Sequence, residues 1–147
     1  RIPMIIDLPG PNDQPRVIET PVTTCDLFPS LLNILDIRLP SDLVLDGLDF
    51  TPLWKEPAAS LDRDTIFFHY PHYYPTTTPV SALRQGPWKL LQYFENNEVE
   101  LYRLDEDPGE SRNLISSHGQ VAERLLETLN RWQRSVSAPM PEKNAER

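Results

Sequence analysis

The chain has 147 residues, a net charge of −8 and one cysteine. That acidity argues against a nucleic-acid or anionic-membrane surface, because phosphate binding needs a clustered basic face. A lone cysteine excludes an internal disulfide, and no apolar run approaches the roughly 20 residues that span a bilayer.

Residues 2–8 form a short, nearly continuous apolar run closed by Pro9-Gly10. The run predicts a strand buried on both faces, as in a parallel sheet covered by helices, and Pro3 and Asp7 argue against a signal peptide. A polar, proline-rich loop follows. In TTCDLFPSLLNILDI, Leu27, Leu31 and Leu35 recur every four residues, with Phe28, Leu32 and Ile34 widening the stripe. An amphipathic helix is expected there, capped by Asp26 or Thr24, with Pro29 in the first turn where a missing N–H costs little. Residues 38–62 read as an irregular connection pinned by Leu43, Leu45, Leu48, Phe50, Leu53 and Trp54.

The second half reads differently. TIFFHY at 65–70 and residues 80–84, 88–94 and 99–104 are strand-like. Asn96-Asn97 suit a two-residue type I′ turn, which would set Phe94 opposite Val99 and Leu91 opposite Tyr102. Leu90, Phe94, Val99 and Leu101 then share one face, and Leu91, Tyr93, Tyr102 and Leu104 the other. Both faces are apolar, so both need a cover. Residues 120–136, with Val121, Leu125, Leu129, Trp132 and Val136 in one stripe and a Ser117/Gln120 capping box, supply one. A larger body outside this chain is the economical second cover. The end of the chain is expected to be extended and mobile.

Candidate chemistry is sparse. His69 and His72 in HYPHYYP are spaced i, i+3, but Pro71 and Pro75 exclude a regular helix and no third zinc ligand follows. At the end of a strand they suit hydrogen bonds to an anionic or sugar ligand, while packing at a domain seam is an equal reading. Cys25 sits at a helix start, where a thiolate gains stability, yet cysteine is more often a core residue. The DEDPGE run fails as a calcium loop: counted from Asp105, the required glycine and glutamate positions hold Glu110 and Ser116.

Four stretches together resemble the sulfatase family. They are RIPMIIDLPG, TPVTTCDLFPSLLNIL, LDGLDFTPLW and SALRQGPWKLL…VELYRLDEDPGESRNL. In the last, the matching residues are Ser81, Arg84, Gly86, Trp88-Lys89-Leu90, Glu100-Leu101-Tyr102, Leu104, Asp107-Pro108, Glu110 and Asn113-Leu114. The histidine loop and the WKL strand look most similar to arylsulfatase A and N-acetylgalactosamine-6-sulfatase-like members. The resemblance implies an α+β chain: a small antiparallel sheet packed by a C-terminal helix, preceded by a terminal strand and helix of an alkaline-phosphatase-like α/β domain. It implies residues 1–62 as the end of the catalytic domain, 63–138 as the C-terminal subdomain, and 139–147 as a flexible tail.

For function, the resemblance implies hydrolysis of sulfate esters by a formylglycine nucleophile, with calcium polarising the sulfate. Both belong upstream of Arg1, so the fragment is expected to be inert alone and to bind no metal itself. Cys25-Asp26-Leu27-Phe28-Pro29 misplaces the proline of the formylglycine motif C/S-x-P-x-R, so Cys25 is not expected to be modified. The implied partners are the protein's own N-terminal catalytic domain and a sulfated small molecule or glycan bound at the rim by His72 and, secondarily, His69, with no nucleic acid and no membrane. The implied location is periplasmic, extracellular or lysosomal. A stand-alone carbohydrate-binding module and a part of a phosphate or phosphonate ester hydrolase are the competing readings.

Overall fold

The computed structural model describes residues 2–7, 16–40, 42–56 and 58–142. They form two compact units, Arg1–Asp62 and Arg63–Arg147.

The first unit is built around α1 (Leu27–Ile34), entered through a 3-10 turn at Thr24–Asp26. Asp26 is fully buried and organises the entry: its Oδ2 accepts from the Thr23 N–H at 2.6 Å, and its Oδ1 from the Leu48 N–H at 2.8 Å. Ser30, one turn on and also buried, donates to the Asp26 carbonyl and accepts from the Phe50 N–H at 2.9 Å. Asn33 continues the row, donating to Asp49 Oδ2 and Thr51 Oγ1 at 2.8 and 2.7 Å. Residues 47–51 are thus stitched to one polar edge of α1. Gly47 lets the two backbones meet, since a Cβ there would lie 2.0 Å from the Cys25 carbonyl oxygen. A short α2 (Pro52–Lys55) follows, with proline at its first position, as its fixed φ and missing N–H allow.

Three expectations change here. Residues 2–7 adopt no strand, and Leu8 lies outside the described residues, as does most of the proline-rich loop. A strand exists only through ladder partners, and every described ladder lies within residues 65–103. The helix at 27–34 forms, but Phe28, Leu31 and Leu35 are exposed while Asp26 and Ser30 are buried. Cys25 is exposed, so it is not a core thiol; its carbonyl is what presses on Gly47.

The second unit is a four-stranded antiparallel meander, in spatial order β1 (Thr65–Tyr70), β2 (Val80–Gln85), β3 (Trp88–Tyr93), β4 (Val99–Arg103). β2 and β3 join through Gly86-Pro87: Gly86 takes φ 55°, which favours glycine, and proline follows with its fixed negative φ. β3 and β4 join through a longer loop than expected. Only Asn97 has positive φ, 57°, whereas a type I′ turn needs two such residues. The Asn96 side chain instead accepts from the Glu98 N–H, and the Tyr93 N–H closes the loop on the Glu98 carbonyl. The register therefore shifts by two, setting Leu91 opposite Glu100 and Leu90 opposite Leu101. Because side chains alternate with period two, a shift of two leaves each residue on its expected face.

One face carries Phe67, Leu83, Leu90, Val99 and Leu101, and α3 (Gly119–Ser135) covers it with Ala122, Leu125 and Leu129. Phe67 and Trp132 stack with ring centres 4.7 Å apart, nearly parallel. No Ser117/Gln120 capping box forms: His118 is the N-cap residue, and Ser117 Oγ donates to the Leu114 carbonyl. The far end of α3 closes without glycine. Ser137 takes φ 50°, its N–H reaching the Arg134 carbonyl and the Ala138 N–H the Gln133 carbonyl. α1 ends the same way through Asp36 and Ile37.

The motif after β4 is a staple. Asn113 Oδ1 accepts from the Leu101 N–H at 3.1 Å, and the Leu114 N–H donates to the Leu101 carbonyl at 2.8 Å, so Asn113-Leu114 seal the outer edge of β4. Asp107 accepts from the backbone N–H groups of Arg112 and Ser111, which hold its carboxyl below the usual range. Lys89 on β3 pairs with Glu110 at 2.5 Å, tying the strand to the same turn.

Candidate functional site

The aromatic loop springs from the end of β1, where the alternation of TIFFHY sends Phe67 and His69 under α3 and Phe68 and Tyr70 to the opposite face. Pro71 and Pro75 deny the loop a regular ladder. Its only described backbone pairing is the bridge between Tyr74 and Thr77, at 3.0 and 3.1 Å.

The two histidines part company. His72 is exposed, edge-on to Tyr70 with ring centres 5.7 Å apart, and Tyr70 meets Tyr74 edge-on at 6.2 Å. With Tyr73, which is 69% exposed, they present three phenols and one imidazole to solvent at one end of the sheet. Such a surface can stack on a sugar ring and donate hydrogen bonds to an anionic oxygen. His69 turns the other way. Its Nδ1 lies 2.5 Å from Ser81 Oγ and its Nε2 2.7 Å from the Pro139 carbonyl oxygen. A carbonyl only accepts, so in the neutral ring Nε2 holds the proton and Nδ1 accepts from the serine hydroxyl. The structure thus does not bring the two imidazoles to one point. Ser81 and Pro139, both essential to the environment of His69, carry no local sequence signal that pairs them with it.

The face away from α3 holds a second polar group. Tyr93 donates to Glu100 Oε2 at 3.1 Å. Burial, and then the neighbouring Glu100 carboxylate, push the Tyr93 phenol up to about 12, and the same two causes raise Tyr102. A neutral Tyr93 therefore stabilises the fold fully below pH about 10, and that contribution fades as pH rises through about 12. An ultraviolet titration of tyrosinate should show Tyr93 ionising last of the five tyrosines. Glu100→Gln should move it back toward 10. Five tyrosines ionising together near pH 10 would contradict the Tyr93–Glu100 contact.

Among the described residues no group of three or more His, Cys, Asp or Glu side chains could hold a metal ion, and no helix is long and apolar enough to cross a membrane.

Known proteins resemble this chain over most of its length. The family model described as N-sulphoglucosamine sulphohydrolase, C-terminal, matches residues 1–135. A sulfatase of Formosa agariphila is 29% identical, over 95% of this chain and 28% of that protein. Arylsulfatase A of Bos taurus is 30% identical, over 88% of this chain and 29% of its own. The chain thus spans less than a third of the length of these relatives. In fold it is similar to a 2-O GAG sulfatase (TM-score 0.65, 23% identity, 77% of this chain and 25% of that one). It is also similar to the phosphonate monoester hydrolase of Agrobacterium radiobacter (TM-score 0.55, 21% identity, 82% and 26%).

Proposed function

The chain belongs to the family of N-sulphoglucosamine sulphohydrolase C-terminal domains, and from that premise we propose that it is the C-terminal part of a sulfatase that hydrolyses aryl or carbohydrate sulfate esters. The observation that carries this reading is the family match over residues 1–135, which takes in all four resembling stretches. The nucleophile, a formylglycine, and the calcium ligands are assigned to residues outside this chain. The setting is outside the cytosol: periplasm, extracellular space or lysosome.

The role of the chain itself is structural, with one contact to substrate. The sheet turns one face to α3 and keeps Phe68 and Tyr70 exposed on the other, at 56% and 42%. We assign that second face to the enzyme's own catalytic domain. The aromatic loop is assigned to the rim of the substrate cleft, where His72 donates to a sulfated sugar or aryl sulfate. His69 enters this assignment as the root of the loop.

Two measurements test it. The longer protein, assayed with aryl sulfate and with a phosphonate monoester, should turn over the sulfate far faster, while the present chain alone should turn over neither. Preference for the phosphonate would favour the phosphonate ester reading, to which the Agrobacterium fold likeness lends only its architecture. In the longer protein, His72→Ala should lower kcat/KM on the natural substrate by about 10- to 100-fold, the worth of one hydrogen bond to a charged group. An unchanged kcat/KM removes His72 from the site.

A further inference from the structure

The chain does not simply trail away after α3. Ser137 turns it back with a left-handed φ, and two residues later the Pro139 carbonyl meets His69 Nε2 at 2.7 Å. The other ring nitrogen reaches Ser81 on β2, whose side chain is fully buried. The ring also lies edge-on to Phe94 and to Trp132, with centres 5.8 and 6.5 Å away. One imidazole thus joins β1, β2, the 94–97 loop and the strap at 136–142. Its position in β1 is next to last, and the aromatic loop begins immediately after Tyr70. That loop has weak anchors of its own: the Tyr74–Thr77 bridge, and a Tyr73–Glu95 contact at 3.4 Å, near the limit of a hydrogen bond.

We propose that His69 is a positioning residue, a latch that holds the strap at 136–142 against the strand from which the aromatic loop springs, so that docking of the strap sets how rigidly the loop presents His72 and its tyrosines. The function belongs to the pair of bonds made by the ring. Nδ1 fixes the ring against β2, which aims Nε2 at the strap. Losing either the ring or the strap then has the same consequence at the loop, and losing both adds little.

Hydrogen exchange followed by mass spectrometry tests this on the whole chain, with no substrate involved, so the readout stands whatever the enzyme hydrolyses. Three variants are compared with the parent: His69→Ala, a chain ending at Ala138, and the two combined. Each should speed exchange at residues 70–78 by about tenfold, as expected when a local opening becomes easier, while the Leu101 and Leu114 amides stay protected. The combined variant should exchange no faster than either alone, because both remove one coupling. His69→Gln, which keeps a donor and an acceptor on one side chain, should restore much of the protection. If the shortened chain protects residues 70–78 as well as the parent does, or if the two changes add in full, the latch is refuted.

Discussion

Gly47→Ala should unfold the first unit by about 3 kcal/mol, the upper part of the range for overpacking a closed site. The new methyl would sit 2.0 Å from the Cys25 carbonyl oxygen, 2.4 Å from its carbon and 2.8 Å from the Asp26 nitrogen. All three are backbone atoms, so no side chain can swing aside. Moving residues 47–51 outward would also draw the Leu48 N–H from Asp26 and the Phe50 N–H from Ser30. Asp26, fully buried, would lose one of its donors. Gly119→Ala is the control. Nothing lies within 4 Å of its Cβ position, and it opens α3, so alanine there should be neutral or stabilising by up to about 1 kcal/mol. Chemical denaturation of both variants decides the matter; equal effects would mean that the Gly47 approach is not tight.

Leu101→Ala should cost about 3–4 kcal/mol of the second unit's stability. Leu101 has no exposed surface, faces Leu90 across the ladder, and packs with Leu125 and Leu129 from α3. Its own N–H and carbonyl are held by the Asn113-Leu114 staple, and its neighbours Glu100 and Tyr102 pair with β3, so the strand cannot sink inward to fill the cavity. A stability of 5–15 kcal/mol is usual for a whole domain, so the loss is a large fraction. Leu101→Met, which conserves volume, should cost under about 1.5 kcal/mol. The midpoint of denaturant unfolding should fall with the slope unchanged. A loss for alanine as small as that for methionine would show a core loose enough to collapse around the gap.

The second unit was readable in advance because its core obeys one short period. Leu90, Val99 and Leu101 fall on one face whether the hairpin turns at two residues or four, so the misread turn left the core intact. α3 showed itself through Leu125 and Leu129 in the same direct way. The first unit resisted this reading. The leucine spacing in residues 27–35 announced a helix, but the buried positions went to Asp26 and Ser30, each of which accepts, besides its local partner, from an N–H group 20 or more residues away. Periodicity encodes which side chains dislike water; it does not encode which backbone donors a carboxylate will meet. His69 was hidden for the same reason. Its two partners lie 12 and 70 positions along the chain, and the more distant is a carbonyl, a group every residue carries. The residues that carry the family resemblance around Asp107 to Leu114 proved to be architecture, holding a turn and an edge.

That edge has a consequence for how the sheet can grow. Asn113 and Leu114 occupy the outer hydrogen-bonding groups of Leu101 on β4, whereas the outer side of β1 carries no ladder among the described residues. The two edges of the sheet therefore differ. The edge without a ladder lies along TIFFHY, an uncharged and β-prone run in which Phe68 already stands in solvent. Among the described residues the sheet thus has one edge capped at Leu101 and one edge without a ladder, and the latter is the strand that leads into the aromatic loop.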